Sequence, residues 1–107
     1  MTWKDVCDLT QLTPNRGVAA LLGDKQVAVF HVVPGDEVLA IDNLDPFSEA
    51  AVLSRGIIGS VGDTLTVASP VFKQRFDLRT GVCIDDPDVR IATFPARVVE
   101  GRVQVDA

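Results

Sequence analysis

Apolar residues in this chain recur at every second position or in short unbroken runs, and no stretch keeps helical spacing for more than a turn or two. The pattern predicts a first short strand over residues 3–7, then a single turn or short helix over 8–14 with Asp8 as its candidate cap. Two apolar runs follow, 17–22 and 26–33, and the Gly23-Asp24-Lys25 that joins them reads as a hairpin turn. Pro34-Gly35-Asp36 turns the chain again into a strand over 37–42. Period two puts Val38 and Ala40 on one face of that strand and Leu39 and Ile41 on the other. The last hairpin is the clearest. With Glu100-Gly101 as a two-residue turn, Val98 opposes Val103, Ala96 opposes Val105, Arg97 faces Gln104 and Val99 faces Arg102. One face of that pair is wholly apolar, and a slip of one residue would turn it to water, so its register is specified.

Composition strengthens the strand reading. Seventeen valines stand against a single methionine and no tyrosine, and β-branched side chains fit a pleated surface while losing rotamer freedom in helices. The expected fold class is all-β, an antiparallel β-sandwich or partly open barrel. A chain of 107 residues has room for one core, so residues 1–107 are expected to form a single domain. The net charge of -5, with basic residues in no run, repels phosphate backbones and removes nucleic acid from the partners. The start, Met1-Thr2-Trp3-Lys4-Asp5, lacks the layout of a signal peptide, and the early apolar run 18–22 is far too short to span a bilayer. A cytoplasmic protein without membrane attachment is expected.

Few residues offer chemistry. Cys7 and Cys83 lie far apart and in no C-x-x-C spacing, so both are expected to be buried free thiols. His31 is the only histidine and sits mid-strand, which points to a structural role. Asp85-Asp86-Pro87-Asp88 lacks the spacing and the glycine of an EF-hand and reads as an acidic turn. Ser48, Ser54 and Ser69 have no activating histidine nearby and no G-x-S-x-G setting, which disfavours hydrolase chemistry.

Residues 43–76 have a different texture, with turn residues alternating with brief apolar pieces, and read as an inserted loop subdomain. Its phrases DPFSEAAVLSRG and GDTLTVASPVFKQRFDLRTGVCIDDP resemble a Rieske domain, in which two loops present a C-x-H and a C-x-x-H pair to a [2Fe–2S] cluster. Aligned on Leu53-Ser54-Arg55-Gly56, Pro46 and Ser48 fall at the first ligand pair. Aligned on Arg75-Phe76-Asp77-Leu78 and Thr80-Gly81, Ser69 and Phe72 fall at the second. None of these four vestigial positions supplies a thiolate or an imidazole, so the resemblance implies a Rieske-like scaffold without its cluster.

The longer phrases IDNLDPFSEAAVLSRGIIGS and ASPVFKQRFDLRTGVCIDDP make the chain similar, over almost its whole length, to the small-subunit family of cytoplasmic NADH-dependent nitrite reductases. That resemblance implies a cofactor-free chain bound to a large subunit. The large subunit would carry FAD, a [4Fe–4S] cluster and sirohaem, and would reduce nitrite to ammonium. In place of a cluster, Phe47, Phe72 and Phe76, with Pro46 and Pro70, are expected to pack between the loops. The same tip is the candidate partner interface, with Phe47, Arg55, Phe72, Lys73 and Gln74 as its contacts. Arg75 alternates with Phe76 along a strand, which gives it a structural use instead. A Rieske scaffold serving as interaction module or regulator of another redox enzyme is the alternative the residues leave open.

Overall fold

The computed structural model describes residues 2–33 and 35–107. Its strands are β1 (Trp3–Asp8), β2 (Arg16–Leu22), β3 (Lys25–Val32), β4 (Glu37–Asp42), β5 (Leu44–Asp45) and β6 (Ala50–Ala51). They continue with β7 (Ile57–Val61), β8 (Thr64–Ala68), β9 (Arg75–Asp77), β10 (Thr93–Phe94), β11 (Ala96–Val99) and β12 (Arg102–Asp106). Two short 3-10 turns, Leu9–Gln11 and Leu53–Arg55, are the only helical pieces among the described residues. The strands form four antiparallel sheets ordered β1-β12-β11, β10-β4-β3-β2, β5-β6 and β7-β8-β9. They are stacked open sheets, not closed into a barrel, in keeping with the all-β antiparallel expectation.

The stacking follows from β3. Its run Val27-Ala28-Val29-Phe30-His31-Val32 is buried throughout, as in a strand covered on both faces rather than one with a wet side. Val27 and Val29, with Val38 and Ala40 of β4, pack against Val103 and Val105 of β12. Ala28, Phe30 and Val32, with Ile41 of β4, pack on the opposite side against Leu53, Val67 and Phe76. The two faces expected for 37–42 are therefore both apolar because both are covered. Each large side chain withdrawn from water here contributes about 1.5–3 kcal/mol.

The predicted turns hold with small shifts. Leu22 pairs with Lys25, so Lys25 opens β3 and the turn is Gly23-Asp24, with Gly23 at φ +67° supplying the first central position. The terminal hairpin has the expected register residue for residue, and Glu100 and Gly101 both take positive φ, 51° and 77°. β1 runs one residue longer than expected and carries a bulge between Asp5 and Cys7. Asp8 stands at the N-cap of the first turn, with its backbone N–H donating to Gln11 Oε1 at 2.9 Å, while its carboxylate meets Arg102 at 2.8 Å. Pro34 of the expected Pro34-Gly35-Asp36 turn lies outside the described residues. No helix of the described residues is long and apolar enough to cross a membrane.

Candidate functional site

The site is the end of the molecule where the β5–β6 loop meets the β8–β9 loop. The first loop is organised by two buried polar side chains, Asn43 and Asp45. Asn43 Oδ1 accepts the Ser54 N–H at 2.8 Å and its Nδ2 donates to the Ala51 carbonyl at 3.3 Å, so one side chain fixes the Leu53–Arg55 turn against β6. Asp45 Oδ1 accepts the Phe47 N–H at 2.9 Å, an Asx turn that Pro46, with its fixed φ, fits.

The second loop closes on Ser69. The Ser69 N–H donates to the Gln74 carbonyl at 2.9 Å, its carbonyl accepts the Lys73 N–H at 3.1 Å, and its Oγ accepts the Val71 N–H at 3.3 Å. The Ser69 hydroxyl then donates to Asp45 Oδ2 at 2.5 Å, joining two loops 24 residues apart by a hydrogen bond with no water access. Burial pushes the Asp45 carboxyl up, but hydrogen bonds from Ser69, Phe47 and Ser48 together outweigh it and hold the group below its ordinary value.

Of the five side chains expected to fill the gap between the loops, the structure places two there. Phe76 is fully buried and Phe47 half-buried, their ring centroids 6.2 Å apart and tilted by 46°. Phe72 is 58% exposed, and Pro46 and Pro70 are exposed as well, so the expectation that these three pack inward is wrong. The physical reason is Ser69: its bonds to Asp45, Val71, Lys73 and Gln74 turn the loop tightly and carry residues 70–73 outward. Lys73 completes that turn at φ +64°, a conformation costly for a residue with a Cβ.

The four vestigial positions thus differ in setting: Ser69 buried, Ser48 half-buried, Pro46 and Phe72 exposed. None brings a thiolate or imidazole to the tip, so these residues do not suit a [2Fe–2S] cluster. Among the described residues no group of three or more His, Cys, Asp or Glu side chains is gathered as a metal site. The remaining donors are occupied elsewhere. Cys83 is buried in the cluster with Phe30 and Phe76. Cys7, on β1, is only half-buried, against expectation, and its burial pushes the thiol up. His31 is buried on β3, where Nδ1 lies 3.3 Å from the Leu12 carbonyl and Nε2 2.8 Å from Asp36 Oδ1.

Arg75 has the structural use its alternation suggested. Its Nη2 and Nε reach Asp85 Oδ1 and Oδ2 at 2.8 and 3.3 Å, and its backbone N–H donates to Oδ2 at 2.7 Å. These bonds hold the Asp85 carboxyl below its usual range and tie the acidic turn to β9. Gln74 faces inward, with its Oε1 buried and unpartnered among the described residues. What the tip presents outward is Pro70, Val71, Phe72 and Lys73 on the β8–β9 loop and Pro46 and Glu49 on the β5–β6 loop; beyond β6 come exposed Arg55, at the end of the Leu53–Arg55 turn, and Ile57, whose partner across the sheet, Ala68, precedes Ser69.

Residues 2–106 match the Rieske-like [2Fe-2S] domain family. The chain is 48% identical over 103 residues to the NADH nitrite reductase small subunit of Escherichia coli strain K12, covering 96% of this chain and 95% of that protein. The chain belongs to the NADH nitrite reductase small-subunit family. A crystal structure of a candidate NADH-dependent nitrite reductase small subunit from Mycobacterium tuberculosis, 49% identical, superposes with a TM-score of 0.93 over 97% of this chain and 93% of that one. A segment of the nitrite reductase [NAD(P)H] large subunit of Klebsiella oxytoca is also 43% identical over 103 residues, covering 96% of this chain but 11% of that protein. The small-subunit domain therefore also occurs within a large-subunit polypeptide.

Asp45 and Asn43 were missed in the sequence. The Asx-turn phrase Asp45-Pro46-Phe47-Ser48 marks where the chain bends. It does not show that the second carboxylate oxygen crosses to Ser69.

Proposed function

We propose that this chain is a cofactor-free small subunit of a cytoplasmic NADH-dependent nitrite reductase that converts nitrite to ammonium. It docks on a large subunit carrying FAD, [4Fe–4S] and sirohaem, and supplies no catalytic group. The inserted 43–76 region of a single domain is the docking end. Phe72, Lys73 and Arg55 make contact, and Phe47 and Gln74 support them from the inner side. The observation that carries this reading is the tip itself. Its two loops are held together by Ser69 and Asp45 at the place where a cluster-bearing relative would spend its ligands, while Phe72 is turned out to solvent. A large aromatic ring turned to solvent suits the centre of an interface, and Lys73 and Arg55, which join no ion pair among the described residues, suit its polar rim. The Klebsiella oxytoca polypeptide, which holds this domain and the large subunit in one chain, fits a lasting association of the two.

Co-purification with the large subunit, with nitrite-dependent NADH oxidation measured with and without this chain, tests the proposal. The chain should co-elute, and the isolated chain should contain no stoichiometric iron or inorganic sulfide; a visible spectrum with [2Fe–2S] charge-transfer bands would end the reading. Lys73→Glu should leave the melting midpoint unchanged and weaken the complex about tenfold, because an interfacial cation is replaced by its opposite. An unaltered complex would remove Lys73 from the interface.

A further inference from the structure

A second surface adjoins the tip. β7 is an outer strand, paired on one side with β8 and on the other with nothing among the described strands. Its hairpin turns on Gly62-Asp63, with Val61 opposite Thr64, and in such a two-residue hairpin bonded and non-bonded pairs alternate from the turn. Val61, Gly59 and Ile57 thus exchange bonds with β8, and Ile58 and Ser60 direct their backbone N–H and C=O outward. The sequence Ile57-Ile58-Gly59-Ser60-Val61 carries no charge and no proline, the usual guards of a free edge.

Beside the start of this edge runs a groove of about 440 Å³, bounded by the start of β2 and lined by Arg16, Arg55, Ile57 and Ile58. Glycine keeps its walls close. A Cβ on Gly17 would lie 2.7 Å from the Ser54 carbonyl oxygen, and one on Gly56 2.5 Å from that of Ala68. In a chain of net charge -5, the ion pairs among the described residues engage His31, Arg75, Arg79 and Arg102, and neither Arg16 nor Arg55 takes part. Ile57, the first residue of the free edge and a wall of the same groove, is 76% exposed.

Given the docking proposed above, we infer that this groove seats an extended acidic segment of the large subunit, added as a strand to β7 with its carboxylates on Arg16 and Arg55. The free backbone of Ile58 and Ser60 supplies the main-chain bonds, and the two unpaired guanidinium groups select the charge.

The test is the affinity of the full chain for the large subunit. Arg16→Glu alters an exposed side chain outside the tip, and Ser60→Pro removes one outward N–H without touching the ladder to β8. Each should weaken binding at least tenfold, with the Arg16→Glu loss larger at low salt. Should Ser60→Pro melt early, Arg16→Glu carries the test alone. Ile57→p-benzoylphenylalanine, irradiated in the complex, should cross-link to a peptide of the large subunit rich in Asp and Glu. Wild-type affinity for both groove variants while Lys73→Glu binds weakly overturns the groove and spares the tip. Wild-type affinity for all three overturns both. Weakening by the groove variants alone upholds the groove and removes the tip. A cross-link to a basic or apolar peptide, or to a second copy of this chain, overturns the acidic strand.

Discussion

Asp45→Ala is expected to cost about 3 kcal/mol and to lower the unfolding midpoint by roughly 15 °C, measured by thermal denaturation of the isolated chain. Asp45 has no exposed surface, and its two oxygens accept the Phe47 N–H and the Ser69 hydroxyl. Alanine removes the acceptor of a buried hydroxyl and of a part-buried N–H, and an orphaned buried donor costs about 1–3 kcal/mol. Ser69→Ala is milder, since the carboxylate keeps its bond from Phe47. The pH dependence has a definite sign. The folded-state pKa of Asp45 lies below its unfolded value near 4, so its contribution is fully present above that value and is lost as pH falls through the folded pKa. The stability gap between the native chain and Asp45→Asn should therefore be widest near neutrality and close in acid. A gap that is constant from pH 7 to pH 2 would show that the carboxylate charge is not what holds the loops.

Phe76→Ala and Phe72→Ala should separate core from surface. Phe76 is fully buried among Phe30, Leu53, Val67 and Cys83, and truncating such a ring costs about 3–5 kcal/mol. Phe72 lies four residues earlier on the other side of the loop and is mostly exposed, so Phe72→Ala should change stability by less than about 0.5 kcal/mol. Its effect should appear in affinity for the large subunit, where loss of a central aromatic anchor costs about 2 kcal/mol or more. Equal melting losses in the two variants would mean that Phe72 packs inward after all.

What was legible in the sequence divides along a physical line. Strands and their registers follow from local alternation and turn chemistry, which is why the Glu100-Gly101 hairpin and the two faces of 37–42 emerged correctly. Stacking was harder. The unbroken run at 27–32 marks a strand, but that both its faces are covered depends on Phe76 and Val103, which are distant in sequence. At the tip, the two loops and their vestigial ligand positions were visible as phrases. The agent of closure was not. Hydrophobicity made Phe72 look like filler, whereas one hydroxyl and one carboxylate, each reading locally as a turn residue, meet across 24 positions and leave the ring outside. Nor does composition reveal that Arg75 is spent on Asp85 while Arg16 and Arg55 join no ion pair among the described residues.

Amide hydrogen exchange of the chain, free and bound to the large subunit, is the most direct measurement of a closed tip that serves as a docking surface. In the free chain the amides of Phe47 and Ser69, both hydrogen-bonded within the tip, should already exchange slowly, and complex formation should add protection over residues 71–73. Rapid exchange at Phe47 and Ser69 in the free chain, or new protection confined to residues 97–101 with none at the tip, would contradict it.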